Sequence, residues 1–531
     1  MTAEQSGTAM FENSKAHRPV ITGRHGMAST GHSLASCEAL YVLKKGGNAM
    51  DAALAAAAVL SVIKSYHCGL GGDVFALYYS ASDKKLYCLN GSGKSPGLLR
   101  REFYQNKIPT RGALAANVPG AVDAWVQLAD RLATRPLKEL WEPAIDYAAN
   151  GFPVFPHLAR VIKSFGERGH EDPAWAKIFF PRGKPLQVNE LLVQNDLAQT
   201  LSEISCHGRD AFYDGRVAES ICRAFEEKGG CFSLRDFREH QSVWETPVHG
   251  SYRGYDVYVP PPNSYGLLLL LQLALLEKQN LTTLTQTSGE TVELQLKAQI
   301  QALENGCQWI ADSESFDRKV LDAFLLDYPL TKASHSGGRQ ISAGSGEDTT
   351  YITTADDRGN WVSMIQSVHE SFGCGIVAEG TGVIFNNRTQ GFNLEPGHPN
   401  EIAPHKRPAH TLSPAMVFKD NAPWLALGTP GGMGQTQFLA QILSNLIDFG
   451  MNIQQAIEMP RWQSKGAGTV EIEARFPSET QLYLQNAGFK VKVTESWDFR
   501  MGGAEGILMD RNTGVFQAGA DPRRDGYAIG Y

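Results

Sequence analysis

From about residue 21 to 330, apolar positions recur at helical spacing, with short alternating stretches between them. "CEALYVLKKGGNAMDAALAAAAVLSVI" (37–63) breaks at Gly46-Gly47, which predicts two helices with Asn48 as the N-cap of the second. That second helix and "LLLLLQLALLEK" (267–278) are the most apolar stretches of the chain. Both are too short to span a membrane, and Asp51, Gln272 and Glu277 interrupt them, so both read as buried helices. "FALYYSASDKKLYCLN" (75–90) alternates on either side of Ser82-Asp83 and predicts a hairpin. "YRGYDVYVPPPNSYGLLLLLQLALL" (252–276) predicts a strand, a proline corner and then helix, because the prolines exclude helix before Asn263.

The pattern changes at "TKASHSGGRQISAGSGED" (331–348), which has no apolar periodicity and reads as a flexible linker. Beyond it the chain is strand-rich, with strands predicted over 349–355, 361–369, 376–378, 382–386, 414–419 and 423–428 and a helix over 434–448. Three stretches follow: a disordered tail over 1–20, a large stretch over 21–348 that ends in the linker, and a smaller one over 349–531, the last two expected to form one body.

Composition narrows the class. Of the 531 residues, 42% are hydrophobic and 20% charged, as in a globular protein with a sizeable core. A net charge of −7 without a basic stripe argues against a nucleic-acid surface. The first thirty residues lack a positive start followed by an apolar run, so no secretory signal peptide and a cytoplasmic location are expected. Cys37, Cys68, Cys88, Cys206, Cys222, Cys231, Cys307 and Cys374 form no CxxC pair, and the histidines show no HxxxH or HExxH spacing. Neither a metal nor a cofactor is expected.

One junction carries chemistry. "GEDTTYITTADDRGN" (346–360) opens on Asp348-Thr349-Thr350 and closes in a polar turn. Read alone, the threonines are ordinary β-formers. A threonine hydroxyl becomes a nucleophile when a base takes its proton, and the α-amine of an N-terminal threonine, with a pKa of about 7.7–8.0, is such a base. The same hydroxyl can first attack the Asp348 carbonyl, and an N-to-O acyl shift followed by hydrolysis would free Thr349. With the turn at 356–360, Ala355 pairs with Trp361, and counting back sets Thr349 opposite Ser367, or opposite Gln366 if the register slips by one. "LALGTPGGMGQTQF" (425–438) reads as strand, glycine turn and helix, where Gly431 and Gly432 N–H groups suit an oxyanion hole. It lacks the lysine of a phosphate loop, and "HCGLGGDVF" (67–75) fails GxGxxG.

These pieces, with "GMASTGHSLAS", "NVPGAVDAW", "FGCGIVAEGTGVIFNN", "HKRPAHTLSPAMV" and "ADPRRDGYAIGY", resemble the γ-glutamyltransferase family of N-terminal-nucleophile hydrolases over nearly the whole chain. The resemblance implies an α+β fold, a four-layer αββα sandwich, and cleavage between Asp348 and Thr349 into large and small fragments. It implies Thr349 as the nucleophile, with Thr350 after it, Ser367 across the strand, and Gly431 and Gly432 as oxyanion donors. The implied partners are a small amide substrate and the two fragments of the precursor, assembled as a homodimer or a dimer of heterodimers.

The departures fall in the pocket. The arginine expected in a "REKAP"-like stretch is Ser92, with Lys94 near it, in "GSGKSP". The acidic residue of "NNxxDDF" is missing from "NNRTQGF", which has Asn387, Arg388, Gln390 and Gly391. His410 and Thr411 replace paired serines, and His369 replaces an asparagine. Glutathione is therefore expected to be a poor substrate. A small anionic amide such as oxamate is favoured slightly over glutaryl-type cephalosporin acylation. A γ-glutamyltransferase and a non-catalytic relative are the alternatives.

Overall fold

Two seven-stranded antiparallel sheets stack face to face, and helices cover both outer faces. The computed structural model describes residues 16–167, 172–312 and 348–531. The expected linker, up to residue 347, and the first fifteen residues of the expected tail lie outside the described residues. One sheet runs in the order Tyr527–Gly530, Gly26–Thr30, Asp348–Asp356, Trp361–His369, Asp73–Ser80, Lys85–Gly91 and Val243–Glu245. The other runs Ile21–Gly23, Val515–Ala520, Glu505–Asp510, Ala422–Gly428, Ala415–Lys419, Tyr255–Val259 and Val248–Tyr252.

The period of two along each strand sorts its residues between layers. Val74, Ala76, Tyr78, Val362 and Met364 join the core under the helices Ser33–Lys44 and Ala49–Ile63. Leu77, Ala355 and Trp361 point the other way and meet Met416, Phe418, Ala426 and Ile507 of the opposite sheet. Val417, Leu425 and Leu427 then pack outward on the helices Gly266–Glu277 and Gln435–Ile447. This is the expected αββα sandwich.

Every residue of Ala49–Ile63 is buried. Its start is fixed as the sequence predicts, by a capping box in which Asn48 and Asp51 satisfy each other's backbone N–H groups. Asp51 also accepts from the Thr134 and Arg135 N–H groups at 2.8 and 3.1 Å, which answers for a carboxylate inside an apolar layer. The glycines of "HCGLGGDVF" serve close packing: a Cβ on Gly71 would lie 2.1 Å from the Ile384 carbonyl oxygen, and one on Gly72 2.5 Å from that of Ser367. The predicted strands at 376–378 and 382–386 shrink to a two-stranded ribbon of Val377–Ala378 and Val383–Ile384. Among the described residues, no helix is long and apolar enough to cross a membrane.

Candidate active site

The central hairpin has the predicted register, with one break. Ala355 pairs with Trp361 and Thr350 with Gln366, but Asp348 then pairs with His369. Thr349 alone therefore faces both Ser367 and Val368, a β-bulge at the peptide that the sequence marked for cleavage. Inside the bulge, the Ser367 hydroxyl accepts from Thr349 Oγ1 at 3.1 Å and from the His369 N–H at 2.8 Å. Its own proton goes to the Asp348 carbonyl oxygen at 2.8 Å. A serine has one proton to donate, so this set fixes the direction of all three bonds. The carbonyl before Thr349 is polarised, and the Thr349 hydroxyl lies within one hydrogen bond of the group that polarises it.

The Asp348 carboxylate is held as firmly. His67 Nε2 lies 2.7 Å from Oδ1, and the Ser371 hydroxyl donates to Oδ2. Burial alone would raise its pKa, but His67 overrides that and holds it at about 2.

Beside the bulge lies a cavity of about 590 Å³, lined by His369, Arg388, Gln390, Gly391, Thr411 and Gly432 among others. Arg388 is 1% exposed, and among the described residues its Nε and Nη2 have no hydrogen-bond partner. Its counter-charge is Asp73 at 3.4 Å, a fully buried carboxylate that also accepts the Gly93 N–H at 2.9 Å. Burial would raise the Asp73 pKa, but the hydrogen bond from His410 and the charge of Arg388 keep it low. His410 lies 3.0 Å from Asp73 through Nε2, and its Nδ1 accepts the Leu412 N–H at 3.3 Å, so the ring proton sits on Nε2. Among the described residues, no aspartate or glutamate lines this cavity.

Burial first, and then the charge of Arg388, lower His410 to about 4 and His369 well below 6.5. Unfolding returns both to about 6.5, so the unfolded chain binds more protons below that pH. Stability from these two groups is thus present above pH 6.5 and lost as pH falls. For uncleaved Thr349→Ala protein we expect unfolding in urea to become easier by about 1.5 kcal/mol per histidine between pH 6.5 and 5. Equal midpoints at the two pH values would overturn the neutral assignment.

The structure brings His369, Arg388, Thr411 and Gly432 to one cavity, with Gly431 next to it in the turn before Gln435–Ile447. It does not bring the remaining sequence candidates there. Ser92 is fully buried and hydrogen-bonds Asn90 at 2.6 Å and Asn263 at 3.2 Å, outside the cavity wall. Lys94 is also outside that wall, and the lysine that lines it is Lys107. Asn387 donates to the Thr110 carbonyl at 2.9 Å and accepts from the Glu370 N–H, so it ties two loops together. The His410 ring is a support for Asp73 behind Arg388. Thr350 is buried on the other face of its strand, where a Cβ on Gly31 would sit 2.2 Å from its Oγ1. Sequence reasoning missed His67, Asp73 and Ser371; the only signal was that His67 and Asp73 flank the glycine run that fails GxGxxG.

An αββα sandwich with a strand-opening threonine in a bulge of its central hairpin places the chain among the amide hydrolases of the N-terminal-nucleophile class. The sequence model described as gamma-glutamyltranspeptidase matches residues 35–531, and the chain belongs to that family. It is 37% identical over 521 residues to the glutathione hydrolase-like YwrD proenzyme of Bacillus subtilis (strain 168), across 96% of this chain and 99% of that one. It is 30% identical over 524 residues to the oxamate amidohydrolase proenzyme of Klebsiella pneumoniae, across 96% and 98%. The crystal structure of cephalosporin acylase from Bacillus halodurans matches with a TM-score of 0.89 and 33% identity, over 97% of each chain.

Proposed function

We propose that the chain cuts itself between Asp348 and Thr349 and then hydrolyses the amides of small carboxylate-bearing acyl groups, with Thr349 as nucleophile. The observation that carries this reading is the set of three hydrogen bonds on Ser367 Oγ. In the precursor, Thr349 Oγ1 attacks the Asp348 carbonyl carbon while Ser367 donates to its oxygen. The new C–O bond forms, the C–N bond breaks, and the hydroxyl proton ends on the freed α-amine. Water then hydrolyses the ester, leaving fragments of residues 1–348 and 349–531, by share of length about 38 and about 20 kDa of the 58.0 kDa chain. The proenzyme names of the relatives support this order of events.

In the mature enzyme the α-amine of Thr349 is the base, and Gly431 and Gly432 N–H groups stabilise the oxyanion. The turn holds both glycines at positive φ, 130° and 53°, in backbone conformations that favour glycine. For the acyl group, Arg388 supplies a desolvated cation with open donors, and among the described residues lining the cavity there is no acid to hold an α-ammonium. Monoamides of dicarboxylic acids fit that arrangement. Oxamate is the smallest of them, and the cavity has room for chains as long as glutaryl.

Intact-mass measurement of the purified protein, with ammonia release from oxamate, succinamate and glutaramate and amine release from γ-glutamyl-p-nitroanilide, tests both halves. A fragment beginning at Thr349 and faster turnover of the plain monoamides are expected. An uncut chain overturns the first half. Faster turnover of the γ-glutamyl compound overturns the second.

A further inference from the structure

We propose that His67 is the positioning residue of self-cleavage: with Ser371 it fixes the Asp348 side chain so that the Asp348 carbonyl stays on Ser367 and in front of Thr349. This inference rests on the reading of Asp348-Thr349 as the scissile bond.

A carbonyl is aimed by the backbone on both sides of it, and here the bulge has removed the ladder partner that would otherwise do so on the threonine side. What remains is the Asp348–His369 pair and the Asp348 side chain. That side chain is approached at both oxygens: His67 Nε2 lies 2.7 Å from Oδ1, and the Ser371 hydroxyl donates to Oδ2. His67 is itself rigid. It is fully buried, its N–H donates to the Lys64 carbonyl at 2.7 Å just beyond the helix Ala49–Ile63, and its ring centroid lies 4.0 Å from that of Tyr66. Its carbonyl accepts the Val368 N–H at 2.9 Å, inside the same bulge that presents Ser367. One residue thus connects the buried helix to both strands of the scissile junction.

The clamp is separate from the acyl cavity. Neither His67 nor Ser371 lines the 590 Å³ space; Asp348 and Ser371 instead line a second cleft of about 310 Å³ with Arg111, His157, Arg160 and Glu370. Its work therefore belongs to the precursor, in which Asp348 is joined to Thr349. A displacement of the reacting atoms by about 1 Å is enough to slow a positioned reaction about 100-fold.

The test follows fragment appearance with time after translation of full-length chains, together with turnover per cleaved chain. His67→Leu is expected to slow cleavage by about 10- to 100-fold, while turnover per cleaved chain falls far less. His67→Gln, which keeps an N–H donor, is expected to recover most of the cleavage rate. Ser371→Ala gives a smaller slowing of the same kind and stands in if His67→Leu does not fold. Cleavage of His67→Leu at the unaltered rate would overturn the inference, and so would equal losses of cleavage and turnover. If the unaltered chain stays whole, or is cut elsewhere than before Thr349, it is the underlying reading that fails.

Discussion

Thr349→Ala is expected to remain a single 58.0 kDa chain and to lose amide hydrolysis by at least about 10⁴-fold. Both effects come from one oxygen. In the precursor, Thr349 Oγ1 is the hydroxyl bonded to the serine that polarises the Asp348 carbonyl. In the mature enzyme the same residue is to supply nucleophile and base together, so its loss removes two functions that act as a unit. Thr350 cannot substitute, because its side chain lies on the opposite face of the strand against Gly31. Thr349→Ser keeps the hydroxyl and the α-amine and loses only a methyl group, so it should still be cut, more slowly. A gel showing both fragments from Thr349→Ala, or turnover by the uncut chain within about 100-fold of the mature enzyme, would refute the assignment.

How much of this the sequence discloses depends on how far apart the cooperating residues lie. The hairpin register was legible because a short turn leaves few ways to pair 349–355 with 361–369, and period-two alternation fixes which face is buried. The bulge was not legible: it depends on the His67 carbonyl binding the Val368 N–H and on Gly72 meeting the Ser367 carbonyl closely, contacts from another strand entry. Ser92 and Lys94 were placed in the pocket by matching a motif position. A strand residue's neighbour can face the opposite way, however, and the Ser92 hydroxyl turns into a buried amide network. The Asp73–Arg388–His410 cluster joins Asp73 to a segment more than 300 residues further on, and no local pattern announces such a meeting. Arg388 read from sequence is as good a surface charge as a buried one. Only its 1% exposure and open donors set it apart.

Those open donors give the second large effect. With Arg388→Gln, kcat/KM for a dicarboxylic monoamide should fall by about 10²- to 10³-fold, the range of 3–4 kcal/mol expected when one partner of a buried charge contact is removed. An amide without the distal carboxylate should lose far less, since it never used the guanidinium. Part of any loss would reflect Asp73, which is fully buried and would lose its guanidinium counter-charge, keeping only the hydrogen bonds from His410 and the Gly93 N–H. The double variant Arg388→Gln/Asp73→Asn removes both charges and separates the two contributions: it should regain stability, yet stay as poor on carboxylate-bearing substrates. The alkaline limb gives an independent check. Burial lowers the Arg388 pKa to about 10, so the cation persists through pH 9 and is lost only above that value. Discrimination between carboxylate-bearing and neutral amides should therefore be flat from pH 7 to 9 and fall as pH rises through 10. If Arg388→Gln weakens both amides equally, the arginine supports the fold of the pocket and does not read the substrate.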